Sequence, residues 1–195
     1  MKKKQIIVSS ILFICGLVAV IMSLHYNGKD QFLYYTQLSN YSLFIINGIY
    51  LFCLIFKDKV PNWVKKVLYI VSCLTSVTFI VVIFILMPMY KKVLWLLFYH
   101  ELKFHHTLNP ILAVINLLLI KDLKIDKKDN ILAVIPTIVY GTVMVIVNLL
   151  RLYEGPYGFL LVYKQPWYMS VIWFILIMSI AYFIAFLLRK LVNRK

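Results

Sequence analysis

Acidic side chains are scarce in this chain, whose 195 residues include seven Asp and Glu against 21 Lys and Arg. All seven lie between the long apolar runs or at their ends: Asp30, Asp58, Glu101, Asp122, Asp126, Asp129 and Glu154. Ionisable side chains deep in a membrane often mark ion or proton pathways. The lack of an acid in the middle of any apolar run therefore argues against a proton-coupled carrier.

Charged residues of either sign are also few. They make up 14% of the chain, whereas 63% of its residues are hydrophobic. A soluble domain is usually about half apolar and about a quarter charged. Because the lipid-facing residues of a membrane protein can be as apolar as its core, a membrane accounts for the excess. We therefore expect an all-α polytopic membrane protein rather than a soluble globule.

Cysteine is limited to Cys15, Cys53 and Cys73, each inside an apolar run and none at metal-ligand spacing. This pattern excludes a disulfide framework and gives no indication of a metal site. We expect neither a metal nor another cofactor. The sequence also lacks an internal repeat, which weakens the interpretation as a transporter built from inverted repeats.

Six segments are apolar and long enough to cross about 30 Å of hydrocarbon, which takes about 20 residues. We predict one domain, residues 1–195, with spans at about 6–24, 33–56, 67–89, 101–120, 131–150 and 167–188. The first follows three lysines, as a signal peptide would, but its length and the lack of a clear cleavage site favour a retained span. The fourth is the least regular, because its apolar run at 107–120 is short and must extend upstream to about Glu101.

Basic residues fall in short clusters between the apolar runs, and fifteen of the 21 lie on one side of the predicted membrane. Cytoplasmic connections carry an excess of Lys and Arg. Six transmembrane helices with both termini cytoplasmic satisfy this rule, and the Lys-rich, Ile-rich composition indicates a bacterial plasma membrane. The same clustering argues against nucleic acid as a partner, despite the net charge of +14.

A first polar cluster stands at the predicted outer end of the second span, and it contains Thr36, Gln37, Ser39 and Asn40. Thr36 and Asn40 are one helical turn apart and share a face. Such side chains also bond to backbone carbonyls and join helices, so helix packing is an alternative role for them. That packing role is the default for five other polar span residues: Asn47, Asn116, Tyr140, Thr142 and Asn148.

A second polar cluster, at 105–110, contains His105 and His106. Pro110 has no N–H, so the carbonyl of His106 loses its helical partner, which predicts a kink and a polar pocket. Histidine is the usual proton acceptor for a hydroxyl nucleophile. The alternative is a pair of interfacial histidines that face headgroup water. The preceding stretch, 89–103, mixes lysines with aromatic residues and predicts an amphipathic helix along the outer interface.

A third cluster, at 151–159, combines a Gly-Pro turn with aromatic residues of the kind found at membrane interfaces. Arg151 and Glu154 are three residues apart and can pair. An ordinary outer loop is the alternative interpretation. Together the three clusters place a hydroxyl, an imidazole and an acid near one leaflet, which is the set of groups that nucleophilic catalysis uses.

The same clusters carry a family resemblance that runs along nearly the whole chain. An aromatic-Thr-x-x-Ser-Asn segment occurs at 35–40, a His-x-x-x-Pro segment at 106–110 and a Pro-Tyr-x-Phe-Leu turn at 156–160. In this order the three segments resemble the androgen-induced and androgen-dependent multi-pass threonine hydrolases, and more closely their bacterial six-span relatives. The late turn departs from the usual form of the family. Gly158 occupies a position where Pro is expected, and Leu161 occupies one where many members have Asp.

The animal members of that family split esters of fatty acids with hydroxy fatty acids, using a Thr and a His on different spans. The resemblance implies that Thr36 is the nucleophile and His106 the general base. It leaves His105 as a rival base, because some members have a longer gap between His and Pro. It also implies a membrane lipid or fatty-acid ester as the substrate.

Further side chains are candidates for catalytic or supporting roles. Asn40 or Gln37 would donate hydrogen bonds to an oxyanion. Glu101 or Glu154 would orient the histidine. The remaining candidates are Ser39 and Tyr157. The same Thr–His pair would serve a lipid acyltransferase, while a non-enzymatic transporter or scaffold is a separate alternative. The sequence leaves the oligomeric state open.

Overall fold

The computed structural model describes residues 2–57 and 59–194, and this part of the chain is helical with no strand. Its α-helices are α1 (Lys2–Asn27), α2 (Tyr35–Phe56), α3 (Asn62–Val81), α4 (Met87–Tyr90), α5 (Val93–Phe98), α6 (Asn109–Leu119), α7 (Lys127–Leu149) and α8 (Trp167–Asn193). Short 3-10 turns lie at Gly28–Leu33, Gly158–Leu160 and Val162–Lys164. Two π-helical turns lie at Val82–Leu86 and Lys103–Leu108.

Five continuous helical stretches of the described residues are long and apolar enough to cross a membrane. They are Lys2–Leu33, Tyr35–Phe56, Asn62–Tyr90, Lys127–Leu149 and Trp167–Asn193. These stretches correspond to five of the six spans predicted from hydropathy. The prediction of an all-α protein is thereby confirmed for the described residues, and the five stretches are consistent with an integral membrane protein.

The fourth predicted span, 101–120, has a different form. It consists of six residues of π-helix, Lys103–Leu108, followed by the eleven residues of α6. Together these are fewer than the roughly 20 residues that a full crossing takes. The segment packs between α1 and α3. The structure therefore has five helices of membrane length and one shorter helical segment among them.

Both π-helical turns lie just before a proline. Val82–Leu86 is followed by Pro88, and Lys103–Leu108 is followed by Pro110. Because Pro110 cannot donate an N–H to the carbonyl of His106, the ordinary helical bond is lost there. Wide turns of this kind are rare and occur frequently at functional sites. The kink predicted at Pro110 is thus a widened turn that contains both histidines.

Helix α3 lies at the centre of the bundle and packs against α2, α6, α7 and α8. In the most apolar 18 residues of the stretch Asn62–Tyr90, which contains α3, 61% of the residues are buried. The corresponding fraction in the other four membrane-length stretches lies between 22% and 44%. The hydroxyl of Tyr69 on α3 lies 2.8 Å from the carbonyl oxygen of Ala185 and 3.1 Å from Asn130 Oδ1. These contacts join α3 to both α7 and α8.

A ladder of buried amides fixes the register of α2 against α6. Asn109 Nδ2 donates to Asn40 Oδ1 at 3.0 Å, and Asn116 Nδ2 donates to Asn47 Oδ1 at 2.9 Å. Both rungs join residues of equal sequence separation, as expected for parallel helices paired at heptad spacing. Ser9 of α1 donates to Asn116 Oδ1 at 3.0 Å and completes the second rung. The helix-packing role predicted for Asn47 and Asn116 agrees with these contacts.

The bundle has two ends with different chemistry. At one end α1 and α7 end while α2 and α8 begin, and Asn27 bonds to Glu101 at 2.9 Å. We call this the site end. At the opposite end Lys66 forms an ion pair with Asp129 at 2.9 Å. We call this the basic end, because the Lys-rich connections predicted to be cytoplasmic lie there.

Candidate active site

A cavity of about 610 Å³ opens at the site end of the bundle. It lies among the first turn of α2, α5, the start of the π-helical turn and the connection that precedes α8. The predicted site residues in its lining are Thr36, Gln37, Glu101, His106 and Tyr157. We call it the site cavity. Elements far apart in sequence therefore bring the proposed nucleophile and the proposed base to one space.

Thr36 lies in the first turn of α2 and is buried. Its Oγ1 lies 3.3 Å from the hydroxyl of Tyr157, which also accepts the Thr36 backbone N–H at 3.3 Å. First-turn N–H groups of a helix have no partner within the helix, so Tyr157 supplies one. Among the described residues, Tyr157 is the hydrogen-bond partner of the Thr36 hydroxyl, and neither histidine bonds to it.

His106 is held by the backbone of α5. Its Nδ1 lies 2.6 Å from the carbonyl oxygen of Leu96, and next to it Thr107 Oγ1 donates to the carbonyl of Leu97 at 3.1 Å. A carbonyl oxygen can only accept, so Nδ1 carries the proton and a neutral ring has its lone pair on Nε2. Nε2 has no hydrogen-bond partner among the described residues. This tautomer is the one that a general base needs.

His105 lies away from the cavity. It is fully buried, and its Nε2 lies 2.7 Å from Ser23 Oγ on α1. Its backbone carbonyl accepts Asn40 Nδ2 at 3.2 Å. The widened turn thus directs two consecutive histidines to different surroundings, with His106 at the cavity and His105 in the contact between helices.

The polar side chains near Thr36 differ in whether they already have hydrogen-bond partners. Asn40 Nδ2 also donates to the carbonyl of Thr36 at 2.8 Å, and Asn40 does not line the cavity. Ser39 Oγ donates to the same carbonyl at 2.9 Å. Gln37 lines the cavity and is buried, and its Oε1 has no partner among the described residues. Of the predicted oxyanion donors, Gln37 is the one whose amide stands free at the cavity.

The two predicted acids occupy unlike positions. Glu101 is buried at the cavity, where its Oε1 accepts Asn27 Nδ2 at 2.9 Å. Glu154 pairs with Lys164 at 2.7 Å, and the two side chains are 71% and 59% exposed. An exposed ion pair of this kind contributes little. Neither acid bonds to His106, whose orientation comes instead from the Leu96 carbonyl.

A narrow apolar space of about 70 Å³ lies on the other side of Thr36. Apolar side chains of α3, α7 and α8 form most of its walls, Val81 and Trp173 among them. Thr36 and Tyr157 line this space as well as the site cavity. We call it the apolar slot. Burial raises the pKa of Tyr157 to about 12, so its phenol stays neutral at physiological pH. The Thr36–Tyr157 pair therefore lies between the site cavity, whose lining includes charged and amide side chains, and the apolar slot.

Sequence reasoning missed three groups at this site. The backbone carbonyl of Leu96 has no signature in a sequence, because every residue carries one. Asn27, the partner of Glu101, ends α1 far away in sequence, and Ser23, the partner of His105, lies within an apolar run. Among the described residues, no group of three or more His, Cys, Asp or Glu side chains is arranged to hold a metal ion.

Comparison of the chain with protein-family models, with curated proteins and with solved structures finds no match. The functional interpretation therefore rests on the geometry of the site and on the three sequence segments that line it.

Proposed function

We propose that this protein is an intramembrane lipid ester hydrolase in which Thr36 is the nucleophile and His106 the general base. The observation that carries the proposal is that both side chains line one cavity, with Nε2 of His106 unpartnered. The order of the three segments that resemble the threonine hydrolases supports the same assignment, and we propose that the chain is a relative of that family.

The two spaces beside Thr36 suit an amphipathic substrate. The first carbons of an acyl chain would enter the apolar slot, whose surface is almost wholly hydrocarbon and aromatic. At about 70 Å³ the slot is smaller than the roughly 150 Å³ cavity that holds a benzene ring, so the rest of a long chain would extend beyond it. The polar remainder of the ester would lie in the site cavity, near Lys92, Glu101 and His106. The ester carbonyl would then stand at Thr36, where the two spaces meet. A lipid or fatty-acid ester is thus the substrate class that this arrangement favours.

The reaction follows the ordinary course of acyl transfer to a hydroxyl. His106 Nε2 takes the Thr36 proton, Oγ1 attacks the ester carbonyl, and the tetrahedral intermediate expels the alcohol, which receives the proton from His106. Water, deprotonated by His106, then attacks the acyl-threonine and releases the fatty acid. For the first step the Thr36 hydroxyl must donate its proton to His106, directly or through one water, and it can accept from Tyr157 meanwhile. The phenol of Tyr157 and the amide of Gln37 would then donate to the oxyanion.

We further propose six crossings, with both termini in the cytoplasm and the site end at the outer leaflet. The excess of Lys and Arg at the basic end supports this orientation. The short segment Lys103–Leu119 would complete its crossing with the neighbouring turn at 99–102. The membrane would be the plasma membrane of a bacterium.

Acyl transfer is the alternative that the same site supports. At about 610 Å³ the cavity has room for a lipid alcohol beside the acyl-threonine. If that alcohol attacks before water does, the protein is a lipid acyltransferase. Product analysis with and without an added alcohol distinguishes the two activities.

The test compares His106, which lines the site cavity, with the adjacent His105, which does not. We expect His106→Gln to lower kcat/KM for a fatty-acid ester by about 10²–10⁴-fold, the range that general-base catalysis contributes. Thr36→Ala should lower kcat/KM at least as far, because it removes the nucleophile. We expect His105→Gln to lower the thermal midpoint instead, because it removes the buried contact with Ser23. A serine-reactive probe such as a β-lactone should label Thr36 in the wild type, as shown by peptide mass spectrometry.

Thr142→Ala and His25→Gln are the matched controls, since neither residue lines the site cavity. Both variants should hydrolyse the ester at the wild-type rate. Full activity of Thr36→Ala would exclude the mechanism, and a loss in His105→Gln with none in His106→Gln would transfer the role of base to His105.

A further inference from the structure

A second cavity, of about 670 Å³, lies at the basic end, on the side of the bundle opposite to Thr36. Five lysines from four separate parts of the chain line it: Lys2, Lys57, Lys59, Lys65 and Lys121. Asp122 is the acid among its described lining residues. We call it the basic cavity. Its described lining residues therefore carry a strongly positive net charge.

The floor of the basic cavity carries a buried donor. Tyr50 of α2 is 1% exposed and lines the cavity, and its hydroxyl has no hydrogen-bond partner among the described residues. Cys53, Leu54 and Ile120 complete an apolar floor around it. A ligand that accepts a hydrogen bond at Tyr50 would satisfy this group.

The rule that cytoplasmic connections are basic does not by itself produce this arrangement. That rule requires lysines on one side of the membrane, and Lys124, Lys127 and Lys128 meet it without lining the cavity. Lysines that line one concavity repel one another, and an anion bound between them would offset that repulsion. The concavity therefore points to an anion.

We propose that the basic cavity binds a phosphate group, carried either by the headgroup of an anionic phospholipid or by a soluble phosphate. Ammonium groups act as point charges for phosphate oxygens, and the Tyr50 hydroxyl donates to one of those oxygens. The cavity opens where α1, α2 and α3 meet the connections at the basic end, which is the headgroup level of the adjoining leaflet. The site is independent of the Thr36–His106 pair.

The experiment measures thermal unfolding of the full chain in a zwitterionic detergent. One arm adds phosphatidylglycerol with phosphatidylcholine as its control, and the other adds inorganic phosphate with chloride at equal ionic strength. We expect a saturable rise of several degrees in the thermal midpoint in one arm or both. A rise with phosphatidylglycerol alone identifies a lipid headgroup, and a rise with inorganic phosphate identifies a soluble anion.

The variants separate a built site from general charge. Lys57→Gln with Lys65→Gln removes two lysines of the cavity, and Lys124→Gln with Lys127→Gln removes two from the same end outside it. We expect at least a tenfold weaker apparent affinity in the first pair, since each lysine near an anionic headgroup contributes substantially. Tyr50→Phe should also weaken binding, and the second pair should bind as the wild type does. An equal loss in both pairs, or no stabilisation of the wild type in either arm, would overturn the proposal.

Discussion

The contact between Thr36 and Tyr157 decides how the proposed nucleophile becomes active. Tyr157 holds both the backbone N–H and the hydroxyl of Thr36 at 3.3 Å. Both distances are long, since N–H···O bonds usually measure about 2.9–3.0 Å and O–H···O bonds about 2.7–2.8 Å. The phenol is neutral, so it can donate to a developing negative charge. In the proposed mechanism Tyr157 would therefore stabilise the oxyanion that forms when Thr36 attacks the ester.

We expect Tyr157→Phe to lower kcat by about 100-fold, the effect of removing one oxyanion donor. The KM should change little, because the ring remains between Tyr34 and Phe159. The thermal midpoint should fall only slightly, since a hydrogen bond contributes about 1 kcal/mol net. Tyr34→Phe is the matched control, as Tyr34 lines the same cavity without bonding to Thr36. Faster turnover in Tyr157→Phe would mean that the phenol only blocks the nucleophile.

At the scale of helical elements, the widened turn Lys103–Leu108 has two consequences for the site. It turns His106 towards the last carbonyls of α5, and it leaves His105 facing α1. In a regular α-helix the two histidines would also point about 100° apart. Without the extra residue of the widened turn, however, both side chains would point in other directions relative to α6. If His106 is the base, as proposed, then Pro110, which follows the turn, would be a positioning residue for it.

Pro110→Ala tests this role of the turn. The new N–H can bond to the carbonyl of His106, so the turn should narrow and move His106 away from Leu96. We expect kcat/KM to fall at least tenfold, while the thermal midpoint stays equal or rises, because proline inside a helix costs about 3 kcal/mol. Pro136→Ala makes the same change inside α7, away from the site cavity, and should leave kcat/KM unchanged. Unchanged activity in Pro110→Ala would show that the turn does not position the base.

Hydropathy predicted the long helices well and the site only in outline. The second predicted span, 33–56, is close to α2 at Tyr35–Phe56, because a run of apolar residues in lipid has few options other than a helix. Pro110 predicted that the helix is disrupted near His106. It did not predict a π-helical turn, because the form of the disruption depends on where α5 packs. The pairing of Thr36 with Tyr157 joins residues 121 positions apart, which no local pattern can reveal.

At the scale of the whole molecule, the number of crossings determines which side of the membrane each connection faces. Five helical stretches of the described residues have full membrane length, and the sixth segment is shorter. Gln5 on α1 nevertheless bonds to the carbonyl of Leu119 at 2.6 Å, so the end of α6 lies at the basic end of the bundle. The chain therefore travels between the two ends along this segment. With six crossings, the connection after α7 would lie on the same side of the membrane as the connection between α1 and α2.

Thiol labelling in intact cells measures this directly, in a chain whose three cysteines are replaced by alanine. We expect Lys29→Cys and Leu152→Cys to react with a membrane-impermeant maleimide, because both connections would lie outside. Lys124→Cys should react only after permeabilisation, since the basic end would face the cytoplasm. If the segment at 103–119 enters and leaves on one side, the later helices reverse, and Leu152→Cys would be protected while Lys29→Cys reacts. If Lys124→Cys alone reacts in intact cells, the protein has the opposite orientation in the membrane. The site cavity with Thr36 would then take its lipid from the inner leaflet.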